Sequence, residues 1–209
     1  MTRYDLLDES IARTLEPGTT VALARGGHVT PLALDTLRER RVTLLRDDGA
    51  GDAEALVPMA SPMRLAVGSD HAGLTLRKAV RDHLRRQGRA VQEVGLDTPD
   101  AVDYPDMAGQ VARLVARREA DAGIVIDGAG LGSAMAANKI DGIRAAMCND
   151  KTLARYAREH NGANVLALGA TLVSVEAALA IVDTWIATPM TEARYIRRLA
   201  KLHGLERTR

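Results

Sequence analysis

The chain has 209 residues, of which 46% are hydrophobic and 26% are charged, so it has the composition of a globular protein with one sizeable domain and room for a small appendage. A net charge of +1 and an aromatic content of 2% argue against a nucleic-acid-binding surface, which needs positive charge and aromatic platforms. The single cysteine, Cys148, suits a cytoplasmic protein without disulfides, and no apolar run approaches the roughly 18–20 residues of a membrane span.

Residues 1–46 carry strand and helix signals of their own. Residues 19–24 predict a short strand, Thr30 is placed to cap a helix that runs to Arg40, and residues 42–45 predict a second strand. This extension has too few apolar residues to predict an independent core. The start of the extension has an amphipathic pattern, which favours either a docking helix or an arm that packs across a dimer. Its apolar side chains are Tyr4, Leu6, Leu7, Ile11 and Leu15.

A change of composition separates this extension from the rest of the chain. Residues 47–62 are rich in Gly, Ala, Asp and Pro and show no hydrophobic period, which is typical of a linker. A complete domain is therefore expected over residues 63–209.

Strand and helix patterns alternate throughout residues 63–209. Apolar strand patterns lie at residues 64–67, 90–94, 123–126, 144–148 and 165–168. Helix patterns lie at residues 74–86, 105–118, 130–138, 151–160 and 175–187, and a last basic helix follows Pro189. Five apolar strands that alternate with helices predict an α/β fold, namely a Rossmann-like, doubly wound, five-stranded parallel sheet with a small N-terminal extension.

Ligands of such sheets bind at the carboxyl ends of the strands, and the first strand carries polar side chains there. It ends in GSDHAG, residues 68–73, which places Asp70 and His71 where a ligand is expected. The alternative for Asp70 is a cap of the following helix.

The third strand ends at Asp127 and is followed by the Gly-rich turn of Gly128, Gly130 and Gly132. Such a turn into a helix directs N–H groups toward an anion. The G-x-G-x-G spacing differs from the dinucleotide fingerprint and does not follow the first strand, so an NAD site is disfavoured. A carboxylate beside these donors suits proton abstraction next to a carbonyl, with a helix N-cap as the alternative.

Basic side chains lie in the C-terminal part of the domain. His160 ends the fourth helix, where a lone histidine is often only a partner of the helix dipole. Arg194 and Arg198 are four residues apart on the last helix and share one face, either as a phosphate clamp or as surface charges.

Seven short segments resemble, in order and spacing, the family of ribose-5-phosphate isomerase B and galactose-6-phosphate isomerase. They are SDHAG (69–73), DYPD (103–106), AANK (136–139), GIRA (142–145), REHN (158–161), NVLALGA (164–170) and IVDTW (181–185). The resemblance covers essentially all of residues 63–209. It implies an enzyme without metal or other cofactor that interconverts the aldose and ketose forms of a sugar phosphate through a cis-enediolate, with ribose 5-phosphate and ribulose 5-phosphate as the favoured pair.

The resemblance also implies roles for particular residues. Asp127 is expected to be the catalytic base, and Asp70 and His160 to open the sugar ring. The phosphate is expected to be held by His71, Arg194 and Arg198, and the oxyanion hole to be lined by Gly128, Gly130, Gly132 and Asn161. In the family the site lies between two subunits, so a homodimer or a dimer of dimers is expected, in which His160 and the arginines serve the neighbour's Asp127.

The chain departs from the family pattern in four places, the first of which is the base. Many relatives have a cysteine base where Asp127 stands, and another branch uses a glutamate at the position of Ser133, which is grouped with the substrate-binding residues. A ring-opening Thr or Ser is replaced by Ala129, and a basic residue and a His are replaced by Thr171 and Tyr195. The chain is therefore expected to be an isomerase with an aspartate base, or else a partner subunit that binds a sugar phosphate without turnover.

Residues 15–48 resemble the opening segment of ethanolamine-utilisation cobalamin adenosyltransferases. Stretches similar to TPLALD, residues 30–35, occur in other microcompartment-associated proteins. No cobalamin or ATP site is recognisable in this segment. The resemblance implies that the enzyme works in a bacterial microcompartment, or is recruited to one through contacts of residues 1–46 with a shell or cargo protein.

Overall fold

The computed structural model describes residues 2–46, 56–59 and 61–208 of the chain. It divides into two compact units, Met1–Glu54 and Ala55–Arg209, each with an apolar core of its own.

The linker predicted over residues 47–62 lies mostly outside the described residues. Its residues 56–59 are described and belong to the second unit, where the carbonyl groups of Leu56 and Met59 accept hydrogen bonds from arginine side chains. This part of the predicted linker is therefore packed against the second unit.

The first unit is a parallel β-sheet with two helices. Its elements are β1 (Arg3–Leu7), α1 (Glu9–Thr14), β2 (Thr20–Val29), α2 (Pro31–Glu39) and β3 (Thr43–Arg46). The strand order is β1-β2-β3, and both neighbouring pairs are parallel. The predicted docking helix is wrong, because the apolar residues at its start belong to β1 and pair with β2, and only the short α1 follows.

A small apolar core holds the first unit together. Leu7, Val21 and Leu37 are buried in it, and Ala33 is fully buried on α2. The expectation that this extension lacks a core of its own is therefore wrong. The small side chain of Ala33 lets α2 approach its neighbours closely. The predicted cap of α2 is confirmed, because the Thr30 side chain accepts the N–H of Ala33 at 3.3 Å.

The second unit alternates strands and helices along the chain. Its elements are β4 (Arg64–Ser69), α3 (Leu74–Arg86), β5 (Ala90–Val94), α4 (Tyr104–Ala116), β6 (Ala122–Asp127), α5 (Leu131–Ala137), β7 (Ala145–Met147), α6 (Lys151–Glu159), β8 (Val165–Gly169), α7 (Val175–Ala187), α8 (Ala193–Gly204) and a 3-10 helix, Leu205–Thr208. The strands form one sheet in the order β5-β4-β6-β8-β7, and every neighbouring pair is parallel.

Helices cover both faces of this sheet because successive side chains of a strand point to opposite sides. On β6, Ile124 and Ile126 pack with residues of α3, α6 and α7, whereas Val125 packs with residues of α4 and α5. On β8, Leu166 belongs to the first of these cores and Val165 to the second. The prediction of a doubly wound, Rossmann-like parallel sheet is therefore confirmed.

The predicted elements of this unit agree with the observed ones to within two residues, apart from the start of the last helix, which was predicted only as following Pro189. The cap predicted at Asp150 is also confirmed, since its carboxylate accepts the N–H groups of Thr152 and Leu153 at 2.7 and 2.8 Å. In the described part of the chain, no helix is both long and apolar enough to cross a membrane.

Replacing Gly68 by alanine should destabilise the second unit. A Cβ at this position would lie 2.6 Å from Cγ2 of Val111 and 3.2 Å from Cβ of Val94, and such overpacking costs about 1–3 kcal/mol. Gly204→Ala is the matched control, because a Cβ there would meet no atom within 4 Å. Denaturant unfolding followed by the fluorescence of Trp185, the only tryptophan, measures the difference. Equal midpoints for the two variants would contradict this packing.

Candidate active site

The carboxyl ends of β4 and β6 lie side by side at one edge of the sheet. Ser69, the last residue of β4, pairs with Ile126 of β6, and the N–H of Asp70 donates to the Ile126 carbonyl at 3.2 Å. Asp70, just after β4, and Asp127, the last residue of β6, follow these partners and are therefore neighbours at the ends of adjacent strands. Only 9% of Asp70 and 5% of Asp127 is exposed, so two largely desolvated carboxyl groups mark this edge.

The carboxylate of Asp127 is held by the turn that follows it. Its Oδ1 accepts the N–H of Ala129 at 2.8 Å and also that of Gly130, and its Oδ2 accepts the N–H of Ser133 at 2.8 Å. A carboxylate has about four lone-pair directions, so roughly one remains, on Oδ2. The Ser133 side chain is placed to donate in this direction, which helps to lower the pKa of the carboxyl group.

These hydrogen bonds hold the pKa of Asp127 below its usual value of 3.8. Burial of the carboxylate acts in the opposite direction and raises the pKa, but hydrogen bonds from Ser133, Gly130 and Ala129 outweigh it by favouring the charged form. Asp127 is therefore ionised at neutral pH and able to accept a proton, although it is a weaker base than a carboxylate without such donors.

The turn after Asp127 needs glycine at two of its three glycine positions. Gly130 has a φ of +76°, and a Cβ on Gly132 would lie 2.6 Å from the ring of Tyr104. A Cβ on Gly128 would meet nothing within 4 Å, so this side of the turn is open. The predicted oxyanion hole needs one correction. The N–H of Gly130 is already donated to Asp127, whereas those of Gly128 and Gly132 have no acceptor among the described residues.

Asp70 and His71 lie at the same edge. The Oδ1 of Asp70 accepts the N–H of Gly73 at 3.0 Å. Gly73 is the N-cap residue of α3, which has no side-chain cap, so the alternative that Asp70 caps this helix is wrong. His71 is exposed. Their parts in ring opening and phosphate binding stay predictions.

The remaining predicted residues gather around the ring of Tyr195. The ring centroids of His160 and Tyr195 are 4.4 Å apart. The guanidinium carbons of Arg194 and Arg198 lie 4.7 and 5.8 Å from the Tyr195 ring centroid, and Arg194 donates to the Tyr195 hydroxyl at 3.1 Å. His160, Asn161, Tyr195 and Arg198 line a cavity of about 450 Å³. The structure thus brings a histidine, an amide and two arginines together.

The predicted site residues form two groups at opposite ends of the sheet. Because β7 is parallel to β8 and β6, α6 starts at the carboxyl edge and ends, just before His160, near the amino end of β8. The six residues of β6 span roughly 20 Å, so His160 and Asp127 of one chain do not reach the same small sugar. We call the two sets the carboxyl-edge group (Asp70, His71, Asp127, Gly128, Gly130, Gly132 and Ser133) and the amino-edge group (His160, Asn161, Arg194 and Arg198).

Three residues outside the predicted set contact these groups. The ring of Tyr104 lies against Gly132, and the hydroxyl of Thr171 donates to the Gly128 carbonyl at 2.7 Å. Tyr195 links the members of the amino-edge group. The contacts of Tyr104 with Gly132, of Thr171 with Gly128 and of Tyr195 with His160 join residues distant in the chain, so no local pattern signals them. The sequence offers only indirect hints: the DYPD segment contains Tyr104, and Thr171 and Tyr195 are departures from the family pattern.

The side chains of the described residues do not favour a metal or a dinucleotide. They include no group of three or more His, Cys, Asp or Glu positioned to hold a metal ion. Two of the N–H groups at the start of α5, those of Gly130 and Ser133, already bind the carboxylate of Asp127 and are not available to a dinucleotide phosphate.

Residues 65–202 match the sequence profile of the family described as Ribose/Galactose Isomerase. The ribose-5-phosphate isomerase B of Escherichia coli is 39% identical over 146 residues, which cover 70% of this chain and 98% of that protein. The ribose-5-phosphate isomerase B of Mycobacterium leprae is 38% identical over 150 residues, which cover 71% of this chain and 93% of that protein.

Solved structures agree with these relatives. Ribose-5-phosphate isomerase B of Clostridium thermocellum has a TM-score of 0.69 and 44% identity, and the match covers 70% of this chain and 99% of that one. The enzyme of Mycoplasma genitalium, solved with bound ribulose-5-phosphate, has a TM-score of 0.68 and 37% identity, with coverages of 70% and 97%. The family profile begins at residue 65, so the resemblance of the N-terminal extension to cobalamin adenosyltransferases stays a prediction.

Replacing Asp127 by asparagine should lower the stability of the fold at neutral pH. The folded-state pKa of Asp127 is lowered, so its charge stabilises the fold above the unfolded-state pKa of about 3.9, and this contribution disappears as the pH falls through the lower folded-state value. The variant loses the acceptor for the Ser133 N–H, and losses of helix caps cost about 0.5–2 kcal/mol.

The measurement is the free energy of unfolding between pH 7 and pH 3. The difference between Asp127→Asn and the unaltered chain should shrink on acidification. Asp141→Asn removes an exposed carboxylate instead and is the control. A difference that stays constant over this range would show that the charge of Asp127 does not stabilise the turn.

Proposed function

The chain belongs to the Ribose/Galactose Isomerase family, and we propose that it interconverts the aldose and ketose forms of a sugar phosphate, with ribose 5-phosphate and ribulose 5-phosphate as its substrate pair. Relatives that carry the name ribose-5-phosphate isomerase B are matched over 93–98% of their length, which supports this pair.

One observation carries the proposal. At the position where many family members have a cysteine base, the chain has Asp127, a buried and ionised carboxylate held by the turn that follows it. The N–H groups of Gly128 and Gly132, for which the described residues offer no acceptor, lie in the same turn. A base next to oxyanion donors is what proton abstraction alpha to a carbonyl requires.

The proposed reaction passes through a cis-enediolate. In the open-chain aldose, Asp127 takes the proton from C2, and the negative charge that develops on the carbonyl oxygen is stabilised by the N–H groups of Gly128 and Gly132. Asp127 then returns a proton to C1 while the proton of the C2 hydroxyl passes to the oxygen on C1, which gives the ketose. Asp70 and His160 serve the preceding ring opening.

Two copies of the chain are needed to assemble this site. The phosphate-binding arginines belong to the amino-edge group and the base to the carboxyl-edge group, and one chain holds these groups at opposite ends of its sheet. In a homodimer, the amino-edge group of one copy would lie beside the base, Asp127, of the other copy. Apolar side chains exposed near the β7 edge of the sheet offer an interface for this purpose: Leu131, Met135, Leu153 and Tyr156.

A second candidate function is sugar-phosphate binding without turnover. It is favoured by the three backbone hydrogen bonds that occupy the carboxylate of Asp127, and by Ala129, which replaces a ring-opening hydroxyl. Such a subunit would bind ribose 5-phosphate but would not exchange its C2 proton. Recruitment of the enzyme to a bacterial microcompartment through residues 1–46 is a separate proposal, which rests on the resemblance of that segment alone.

Asp127→Asn should reduce the turnover number by at least about 10²-fold, because the amide has no basicity and general-base loss has this scale. Asp127→Cys, which installs the base common in the family, should recover part of the activity. Its activity should fall on acidification at a higher pH than that of the unaltered chain, since a thiol titrates above a carboxylate whose pKa is lowered. The measurement is the pH dependence of turnover for the three proteins. Full turnover by Asp127→Asn would place the base elsewhere.

Mixing two inactive variants should restore activity. In a random mixture of Asp127→Asn and His160→Ala chains, half of the dimers are mixed, and each mixed dimer has one site with both residues intact. About a quarter of the sites should therefore become active if the site is shared between two copies. The measurement is turnover before and after subunit exchange. A mixture that stays inactive although mixed dimers are present would contradict a shared site.

A further inference from the structure

Two arginines at the amino edge of the second unit, one buried and one partly buried, bind main-chain carbonyls. Arg158 has 1% of its surface exposed, and Arg144 is partly buried. Among the described residues, no carboxylate accepts a hydrogen bond from either guanidinium. Burial lowers the pKa of each guanidinium to about 10. For Arg144 the negative charge of Glu206 opposes this shift, and for Arg158 the positive charge of Arg144 adds to it. Both remain charged at neutral pH and need their acceptors.

Residues 56–59 supply one acceptor to each of these arginines. The Leu56 carbonyl accepts from Nη2 of Arg144 at 2.9 Å, and the Met59 carbonyl accepts from Nη2 of Arg158. The other acceptors are the carbonyls of Gly142 and Gly162 for Arg144 and of Ala163 for Arg158, which lie in the loops before β7 and β8. Since a buried N–H without an acceptor is costly, residues 56–59 are tied to these two side chains.

The same segment also packs against the helix that carries the predicted phosphate-binding arginines. The side chains of Leu56 and Val57 contact the apolar cluster of Met190, Tyr195 and Leu199. Tyr195 lies between two members of the amino-edge group, with its ring 4.4 Å from His160 and 4.7 Å from the guanidinium carbon of Arg194. Arg158, the partner of Met59, stands two residues before His160 on the same turn of chain.

We propose that residues 56–59 are a positioning segment for the sugar-phosphate site: by holding Tyr195 and Arg158 in place, they set the positions of His160, Arg194 and Arg198. This inference rests on the proposed function. Residues 56–59 lie outside the family match, which begins at residue 65. Tight binding of the phosphate in this chain therefore depends on a segment that the family profile does not include.

The test uses full-length chains with two side chains of this segment shortened. Leu56→Ala/Val57→Ala removes the contacts with the Tyr195 cluster. Met59→Ala is the matched control, because the Met59 side chain is 53% exposed and its carbonyl remains. The double variant should raise KM for ribose 5-phosphate about tenfold, with kcat within about threefold of the unaltered chain, because phosphate contacts are weakened while Asp127 is untouched. The inhibition constant of inorganic phosphate should rise with KM, and Met59→Ala should change neither.

The outcomes separate this inference from the proposed function. If the unaltered chain is active, two results for the double variant would overturn the positioning role: an unchanged KM, or a loss confined to kcat. Either result would leave the proposed isomerase function intact. If the unaltered chain turns over no aldose phosphate, the proposed function fails. The positioning role is then tested by binding: the dissociation constant of ribose 5-phosphate should rise in the double variant and stay unchanged in Met59→Ala. Absence of binding by the unaltered chain would overturn both. Thermal unfolding checks that the double variant is folded, and Val57→Ala alone carries the comparison if it is not.

Discussion

Asp127 ends the central strand of a parallel sheet, and its carboxylate closes the turn into the next helix by accepting three backbone N–H groups. Several features depend on this interaction. It fixes the start of α5 and keeps the carboxylate ionised against the effect of burial. It also leaves the N–H groups of Gly128 and Gly132 without an acceptor in the part of the chain that the structure describes. The same hydrogen bonds that give the candidate base its position also reduce its basicity. A base of this kind relies on geometry and on oxyanion donors more than on its own proton affinity.

The parallel sheet separates the other residues from this base. Every turn from a strand into a helix lies at the carboxyl edge, and every helix returns to the amino edge, where His160 and the arginines of α8 are found. A single chain therefore presents half of a site at each end of its sheet. In the proposed homodimer, two copies join these halves. Arg144 and Arg158 connect the amino-edge group with residues that precede the family match.

Much of this architecture follows from local sequence patterns. The apolar strands and the caps at Thr30 and Asp150 are local features, so the sheet, its class and most element boundaries were predictable. The start of the chain was not, because the apolar residues around Leu6 and Leu7 suit a helix as well as β1, and only pairing with β2 decides between them. A strand of five residues is too short for its alternation of apolar and polar side chains to be distinguished from a helical pattern.

The candidate site was predictable as a set of residues but not as an arrangement. The resemblance places Asp127, Gly130 and His160 in one site, yet the donation of the Gly130 N–H to Asp127 and the distance to His160 are tertiary facts. The role of residues 56–59 was hidden for the same reason, since their partners lie about 90 to 140 positions away in the sequence.

The most direct test of the central claim is an isotope experiment on the unaltered chain. Ribose 5-phosphate is incubated with the protein in D₂O, and the products are followed by NMR. A cis-enediolate formed by a protein base predicts ribulose 5-phosphate with deuterium at C1, because the proton held by Asp127 exchanges with solvent before it is returned. Ketose formed without any deuterium would contradict the proton-transfer mechanism. Absence of both ketose and exchange at C2 would contradict isomerase activity itself.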